Sequence, residues 1–452
     1  MKGLARFVTV RNLLGALGVI YGIAFLSFGM QARGLIGSQG ILPVADFLRA
    51  VRDSLGPHAW LEVPTVLWGS ASDGALTAVW VAGLAVALAA MFTRWPRAAL
   101  AVCLVLWLSL CAAGQDFLSF QWDVLLLEAG FLALFADAKP VRLWLFRWLL
   151  FRLMFFSGMV KLLSHDPTWG GLTALQYHYW TQPLPTPVAW WMEQLPARFQ
   201  TLSTVLVLVC ELPVPFLLLA PWRKLRLAGA WITIGLQVLI LVTGNYAFFN
   251  LLTIVLALWL FVEPDPAPTT RGHRAVSAAL AGFIAFMSAL LFLDLFGVPV
   301  PEPGAAVMRA AAPFRIVNSY GLFAVMTTTR PEIIVEGSYD GESWQAYEFR
   351  DKPGDVRRAP PVVAPFQPRL DWQMWFAALG TYRQNRWFVN FVVRLLQGDR
   401  AVLRLLAYNP FAGKPPKYVR ASLYEYRFTR FGEAGWWHRE RKGLYFPPVS
   451  LK

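Results

Sequence analysis

Long apolar runs alternate with short polar segments over the first 300 residues of this 452-residue chain. About 20 apolar residues cross the hydrocarbon core of a bilayer as a helix, so runs near this length predict membrane spans. We count nine runs, at residues 12–30, 75–92, 98–113, 123–137, 143–163, 201–220, 227–243, 247–262 and 275–297. No convincing small-residue cleavage site follows the first run, and we expect it to remain in the protein as an anchor.

The pattern changes after the ninth run, where the proline-rich segment GVPVPEPG (297–304) marks a boundary. Beyond it, β-prone runs flank Asp340–Gly341, WQMWFAAL and RWFVNFVVRLL have helical spacing, and YVRASLYEYRF alternates. We therefore predict an α-helical polytopic membrane protein with about nine spans and a C-terminal extramembrane α+β domain. Residues 1–304 form the membrane domain with outward loops 31–74 and 164–200, and residues 305–452 form the extracytoplasmic domain.

Composition and charge fit a multi-span protein. The chain is 57% hydrophobic and only 15% charged, with a formal net charge of +14. No helix-turn-helix, zinc-finger or RNA-binding signature accompanies this charge, so we expect no nucleic-acid partner and assign the basic residues to cytoplasmic edges of spans. With nine spans they fall on one side, which puts the amino terminus in the cytoplasm and the C-terminal domain outside or in a lumen; they are Lys2, Arg6, Arg11, Arg94, Arg97, Lys139, Arg142, Arg223, Lys224, Arg226, Arg271 and Arg274.

Among the ionisable residues inside the predicted spans, four need a partner: Glu128, Arg152, Lys161 and Glu211. Charges at such positions face the interior of a bundle or water and are usually paired. Counted by helical rise, Arg152 and Glu211 each lie roughly 16 Å from the outer boundary, which predicts one pair. Lys161 and Glu128 each lie within about 8 Å of it, which predicts a second. The pairs either hold helices in register or line a functional cavity, with Lys161 as the candidate catalytic residue.

The loop 164–200 carries polar and aromatic residues directly after a hydrophobic run, namely His165, Asp166, Trp169, His178 and Tyr179. Histidine near a carboxylate serves as a metal ligand, a base or a hydrogen-bonding strut, but this spacing matches no standard zinc site, and we expect no metal. The aromatic residues of the loop suit an interfacial belt or a binding surface. Cys103, Cys111 and Cys210 lie in apolar stretches, and we expect no disulfide in a water-facing domain.

In the C-terminal region, the sequence RLDWQMWF places Asp371, Trp372 and Trp375 on one helix. Aromatic residues three and four positions apart share a helix face, and this face either packs into the core or presents a surface to client proteins. The chain has no GxSxG elbow, HExxH helix, phosphate loop or dinucleotide fingerprint. We therefore expect no cofactor, and an enzymatic role is the less favoured alternative.

Several long blocks resemble the lipase maturation factor family. They are SGMVKLLSHDPTWGGLTALQYHYWTQPLPTP, LVTGNYAFFNLLT, NSYGLF, EGSYDG, APFQPRLDWQMWFAALG and YFPPVSL, and they extend over nearly the whole chain. The resemblance implies an integral membrane folding factor, because animal members sit in the endoplasmic reticulum membrane and help secreted lipases reach their active form. Secreted client proteins and membrane lipid are then the expected partners.

A second resemblance covers only the membrane half. The pattern F-x-S-G-x-x-K-L at residues 155–162, followed by Trp169 and Gly170, is similar to the lysine-bearing helix of vitamin K-dependent γ-carboxylase membrane domains. That resemblance implies that Lys161 acts as a base. The segment FQWDVLLLEAG (120–130) lacks the histidine of that family's other helix and so departs from its pattern.

Two hypotheses follow. The first is a membrane-anchored maturation factor for secreted proteins, and the alternative is a carboxylase-like membrane enzyme that uses Lys161 in an intramembrane cavity. The expected location is the bacterial inner membrane if the source is prokaryotic, or the endoplasmic reticulum membrane if it is eukaryotic.

Overall fold

The apolar runs of the sequence form a helical bundle in the structure, a computed structural model that describes residues 8–451. All nine predicted runs contain a helix. In chain order they are α1 Val10–Gly29, α2 Asp73–Phe92, α3 Pro96–Ala113, α4 Gln121–Leu134, α5 Pro140–Leu163, α6 Ala197–Leu219, α7 Arg223–Thr243, α8 Phe249–Leu258 and α9 Arg271–Leu295. Seven of them are long and apolar enough to cross a membrane. The protein is thus a multi-pass membrane protein.

The other two helices, α4 and α8, have 14 and 10 residues and lie inside the bundle. A 14-residue helix rises only about 21 Å, against a hydrocarbon core of about 30 Å. Most side chains of both helices are buried by their neighbours. Their apolar composition therefore reflects burial in protein as well as the membrane environment.

Helix α6 is broken about two thirds of the way along, where Pro213 and Pro215 follow Glu211. Its first part, Ala197–Glu211, ends at Leu212, and the second part, Val214–Leu219, begins after Pro213. Proline lacks the amide hydrogen that continues a helix and its ring clashes with the preceding turn. The chain consequently changes direction next to the buried carboxylate of Glu211.

The predicted outward loops contain short helices. Loop 31–74 holds Ala32–Ile36, Val44–Leu55 and Ala59–Glu62, and loop 164–200 holds Pro167–Gly170, Leu175–Thr181 and Pro187–Glu193. Side-chain caps begin two of these helices: Asp166 accepts hydrogen bonds from the Thr168 and Trp169 amides, and Thr186 accepts one from the Ala189 amide. Loop 164–200 is consequently an ordered surface, as its composition predicts.

The basic ends of the long helices share one end of the bundle. Lys139 pairs with Asp265 at 2.5 Å, and Arg223 pairs with nearby Glu263 at 2.5 Å. The C-terminal region lies at the other end, where the Gln367 amide donates to the Ser27 hydroxyl at 2.9 Å. For these two residues the arrangement agrees with the predicted segregation of basic residues. Lys2 and Arg6 of that prediction lie outside the described residues, and the compartment that each end faces stays a prediction.

The C-terminal region is α+β, as predicted. Its strands are β1 Pro331–Ser338, β2 Gln345–Ala346, β3 Glu348–Phe349, β4 Leu406–Tyr408, β5 Tyr418–Phe428 and β6 Trp437–Val449. Four of them form an antiparallel sheet in the order β2-β1-β5-β6, and β3 pairs with β4. Helices α10 Glu302–Ala311, α11 Arg369–Ala378 and α12 Arg386–Gln397 complete the region, and the predicted Asp340–Gly341 turn connects β1 to β2.

One hydrophobic core joins the membrane bundle to the C-terminal region. Trp372 of α11 packs edge-on against Phe120 and Trp122 at the start of α4, with ring centroids 5.7 and 4.9 Å apart. Phe117 contacts Trp387 of α12 in the same way, at 5.9 Å. The two parts are therefore packed together through apolar side chains, and the boundary at residue 304 stays a prediction.

Candidate functional site

A buried ionic network links α4 and α5 to the segment before the sheet. Glu128 forms an ion pair with Arg152, and both side chains are almost fully buried. The other carboxylate oxygen accepts hydrogen bonds from the Asn318 amide at 2.9 Å and the Tyr320 hydroxyl at 2.7 Å. Arg152 also donates to the Asn318 carbonyl at 2.8 Å. Only the Nε atom of Arg152 lacks a hydrogen-bond partner among the described residues, and the other bonds offset the cost of burying this ion pair.

A second buried pair joins α5 to α6, where the Lys161 ammonium lies 2.7 Å from the Glu211 carboxylate. Lys161 also donates to the carbonyls of Ser157 at 3.0 Å and Leu322 at 3.1 Å. The ammonium group is thus held by two backbone carbonyls and by its ion pair with the carboxylate. A lysine held in this way by a carboxylate and two carbonyls suits a structural ion pair between α5 and α6.

These pairs correct the predicted ones, because Arg152 meets Glu128 and Lys161 meets Glu211. Arg152 and Lys161 are nine residues apart, which is 2.5 helical turns, and they point to opposite sides of α5. The prediction paired residues that lie at equal depth below the outer membrane boundary, and it assumed that all helices reach that boundary at the same level. Lys161 lies two residues from the end of α5, whereas Glu211 lies 14 residues into α6, so the two helices are staggered.

Next to Lys161 and Glu211 lies a cavity of about 520 Å³ with a mostly apolar lining. Helices α5, α6 and α7 form its walls, and residues 322–326 together with loop 164–200 close one end. Its size falls in the range of about 300–1,000 Å³ that holds small-molecule ligands. The structure thus brings the predicted intramembrane residues Lys161 and Glu211 to a cavity, while Glu128 and Arg152 belong to the separate network.

The predicted loop residues tie the loop to the bundle and to the C-terminal region. Burial alone would raise the pKa of Asp166, but hydrogen bonds from Thr168, Trp169 and the Met326 amide hold that pKa below its ordinary value. Trp169 is buried, donates to the Phe323 carbonyl at 2.9 Å and lies beneath the Lys161 ammonium. These contacts favour a structural role for Asp166 and Trp169.

His165, His178 and Tyr179 complete the predicted set. His165 has a positive φ of 54° just after α5, so it marks a turn. His178 and Tyr179 line the cavity, and burial together with the nearby Lys161 charge lowers the pKa of His178 to about 4. His178 is therefore neutral at pH 7. Between residues 8 and 451, no three His, Cys, Asp or Glu side chains form a group able to hold a metal ion.

Comparison with known proteins decides the family. The family described as "Lipase maturation factor transmembrane domain" matches residues 8–265, and "Lipase maturation factor C-terminal domain" matches residues 316–447. The chain belongs to the lipase maturation factor family. No solved structure matches this chain.

Curated lipase maturation factors resemble the chain over almost its full length. "Lipase maturation factor 2" of Gallus gallus is 38% identical over 97% of this chain and 81% of its own, and the Homo sapiens protein of that name is 37% identical over 97% and 82%. "Lipase maturation factor 1" of Bos taurus is 36% identical over 97% and 88%. None of these names favours the carboxylase-like alternative.

Asp371, Trp372 and Trp375, the candidate client-surface residues of this lipase maturation factor family member, are buried. The prediction that they present a surface to client proteins is therefore wrong. Asp371 accepts hydrogen bonds from the Asp351 and Lys352 amides, at 2.7 and 2.9 Å. Trp375 donates to the Thr181 carbonyl at 2.9 Å. The helix face that carries these residues packs against β1 and the bundle. It therefore belongs to the hydrophobic core, which was the other possibility that the residue spacing allowed.

Two buried ionic groups of this family member escaped sequence reasoning. Arg369 pairs with Asp123 of α4 at 2.8 Å, and both are fully buried. Glu332 lies 2.9 Å from Arg330 and 2.9 Å from Lys352, all buried in the C-terminal region. The position of Asp123 in an apolar run indicates that it needs a charged partner. Arg330 and Arg369 lie in a region whose composition predicted a soluble domain, so nothing in the sequence indicated that they are buried.

An aromatic cluster lies where loop 164–200 meets the β5–β6 hairpin. It consists of Trp190, Trp191, Phe431 and Trp436, and we call it the aromatic patch. The Trp190 and Trp191 rings lie 5.2 and 5.3 Å from the Phe431 ring. Trp191 and Phe431 are 56% and 59% exposed, although both are large apolar side chains. The sequence predicted an aromatic surface on the loop, but it did not predict that Phe431 and Trp436 of the hairpin would join that surface.

Proposed function

We propose that this chain is a membrane-anchored maturation factor that binds partly folded secreted proteins, and that lipases are the client class. The proposal rests on membership of the lipase maturation factor family and on one observation, the exposed aromatic patch. Exposed apolar clusters of this kind are typical of protein-binding sites, and tryptophan is enriched among residues that dominate binding energy. Partly folded clients expose apolar segments that such a patch can cover.

The patch is held on a rigid base, which supports a binding role. Trp190 donates to the Thr429 hydroxyl at 3.0 Å, and Gln194 donates to the Thr429 carbonyl at 3.1 Å. Farther along the loop, buried Arg330 donates to the carbonyls of Trp180 and Pro183, both at 2.8 Å. The loop and the sheet thus act as one preorganised face, which lowers the entropic cost of binding.

We assign residues 305–452 and loop 164–200 to the extracytoplasmic or lumenal side. Secreted clients fold on that side, and the basic helix ends lie at the opposite end of the bundle, where the positive-inside rule puts the cytoplasm. The membrane is the bacterial inner membrane in a prokaryotic source and the endoplasmic reticulum membrane in a eukaryotic one. Membrane lipid and secreted proteins are then the partners.

The aromatic patch is tested in the native host after deletion of the gene. Complementation with the Trp191→Ala/Phe431→Ala double variant should lower secreted lipase activity by roughly fivefold, since removal of two exposed anchors weakens client binding. Tyr408→Ala removes an equally exposed aromatic side chain, 57% exposed, at another place in the sheet region, and should leave the activity unchanged. Membrane levels of each variant are measured by immunoblot.

A photocrosslinking residue at position 431 gives the direct readout. It should capture newly made secreted lipase, whereas the same residue at position 408 should not. Equal secreted lipase activity with and without the gene would overturn the assignment of lipases as clients. Equal loss for the double variant and for Tyr408→Ala would overturn the role of the patch.

A further inference from the structure

The cavity beside Lys161 opens towards the lipid between α6 and α7. In α7, Gly229 lies tightly against Leu217 and Leu218 of the second part of α6. Six residues farther along, a Cβ placed on Gly235 would meet no atom within 4 Å. The cavity lies in the gap between the first part of α6 and α7, because both Leu206 of α6 and Gly235 of α7 line it.

The rim of this gap is apolar and exposed. Leu206 of α6 is 53% exposed, and Leu239 of α7 is 65% exposed. In helices of spanning length, such side chains face hydrocarbon. A molecule that enters through the gap comes from the bilayer and has an apolar part.

The interior of the cavity offers no unpaired charge. The Lys161 ammonium lies 2.7 Å from the Glu211 carboxylate and donates to two backbone carbonyls, so the two charges of the pair compensate each other. His178 is neutral as well, because its pKa is about 4. An anionic or cationic group would find no counter-charge there, and a lone buried charge is strongly unfavourable. The polar end of an occupant must therefore be uncharged.

Two hydroxyl groups line the cavity and have no hydrogen-bonding partner in the part of the chain that the structure describes. They belong to Ser203 of α6 and Tyr179 of loop 164–200. The two helices that carry them touch, since the Leu175 amide donates to the Thr204 hydroxyl at 3.3 Å. Polar groups without partners in an apolar pocket are the features that orient a ligand.

We propose that this cavity binds one uncharged, single-chain lipid with a hydroxylated head group, of the monoacylglycerol type, taken from the bilayer. A water molecule occupies about 30 Å³ and a methylene group is of similar size, so the cavity holds roughly 17 such groups. That is enough for a glycerol ester head group of about eight heavy atoms and roughly nine carbons of its chain, and the rest of the chain extends through the gap into the bilayer. The head group hydrogen-bonds the Ser203 and Tyr179 hydroxyls, and the chain lies along α7. The proposal does not depend on which client the protein serves.

The test uses the full-length protein in phosphatidylcholine nanodiscs with a monoacylglycerol that carries a diazirine on its chain. After photolysis, labelled peptides are mapped by mass spectrometry. Gly235→Leu places a side chain in the open space of the cavity and should lower labelling of α6 and α7 by about tenfold. Gly282→Leu is the matched control, because Gly282 of α9 also has no atom within 4 Å and lies outside the cavity; labelling should stay unchanged.

Two further arms separate this proposal from its alternatives. Ser203→Ala should lower labelling by the monoacylglycerol probe without filling the cavity, which keeps the test valid if Gly235→Leu does not fold. Diazirine probes built on a fatty acid and on phosphatidylcholine should label the same peptides several-fold less. Equal labelling of the Gly235→Leu and Gly282→Leu variants, or labelling by either other probe as strong as that by monoacylglycerol, would overturn the proposal.

Discussion

Buried ions in this protein pair across long distances in the sequence. Glu128 and Arg152 are 24 residues apart, whereas Asp123 and Arg369 are separated by 246. Hydropathy identifies Glu128, Arg152, Lys161 and Glu211 as buried charges, because each interrupts an apolar run. It cannot identify their partners, since helical rise gives depth while the direction in which a side chain points depends on which helices are neighbours.

The corrected pairing predicts the outcome of a double-mutant cycle. Arg152→Met and Glu128→Leu should each lower the free energy of unfolding by about 3–5 kcal/mol, because each leaves one charge buried alone. The double variant should lose less than the sum of the two losses. Thermal unfolding in detergent, followed by tryptophan fluorescence, measures the three losses. Additive losses would show that the two side chains do not interact.

A second cycle, between Arg152 and Glu211, is the control. The two side chains share no partner in the structure, so the losses from Arg152→Met and Glu211→Leu should add. A coupling in this cycle as large as that between Arg152 and Glu128 would contradict the structure and favour the pairing inferred from depth alone.

The carboxyl of Asp351 predicts a pH dependence of stability. Burial and the neighbouring Asp371 charge raise the pKa of Asp351 from 3.8 to about 7. Because the folded pKa is above the unfolded one, the folded state holds the proton more tightly, and this contribution to stability is lost as the pH rises from about 4 to 7. Asp351→Asn should remove that loss and stabilise the protein by about 1–2 kcal/mol at pH 8, since Asp351 remains partly exposed.

Unfolding temperatures of the parent and of Asp351→Asn, measured between pH 4.5 and 8.5, test this expectation. Asp53→Asn, at an exposed position in loop 31–74, removes the same charge and should give the parent's pH profile. A parent-like decline of stability between pH 4.5 and 7 in Asp351→Asn would show that another group causes it.

At the scale of elements, hydrophobic periodicity predicted which segments are helices or strands better than it predicted how long each helix is. The runs at 123–137 and 247–262 are as apolar as the others, yet their helices have only 14 and 10 residues. Hydropathy reports that a segment avoids water, and burial in protein satisfies this as well as lipid does. The hairpin turn at Asp340–Gly341 was predictable because its signal is local.

Contacts between elements were not predictable in the same way. The aromatic residues of loop 164–200 predicted an interfacial belt or a binding surface, but nothing in its sequence shows that Arg330 binds the carbonyls at the end of helix Leu175–Thr181. That arginine lies 150 residues away from Trp180 and directly precedes β1. A long-range contact of this kind depends on the whole topology, which one sequence without related sequences does not specify.

At the scale of the whole molecule, the predicted membrane domain and outer domain share one buried interior. Arg369 supplies the charge that Asp123 of α4 needs, and the segment at Asn318 and Tyr320 satisfies Glu128. The change in composition after residue 304 predicted a soluble domain but could not reveal these links. Each link supplies a buried polar group of the bundle with its partner from the C-terminal region.

Removal of residues 305–452 should therefore destabilise the membrane bundle as well as abolish maturation. Asp123 loses its counter-ion, Glu128 loses its hydrogen bonds, and apolar side chains such as Trp122 become exposed. We expect the truncated chain to insert but to unfold at a temperature at least roughly 10 °C lower than the intact protein, or to aggregate on gel filtration in mild detergent.

The matched control keeps every residue and cuts one bond. A protease site inserted near Val298, which is 47% exposed in the segment between α9 and α10, allows cleavage after folding. Because the two parts share one core and two buried ionic networks, the fragments should elute as a single particle and keep the intact protein's unfolding temperature. Fragments that separate after cleavage, with a membrane half as stable as the intact protein, would show that the two parts are independent domains.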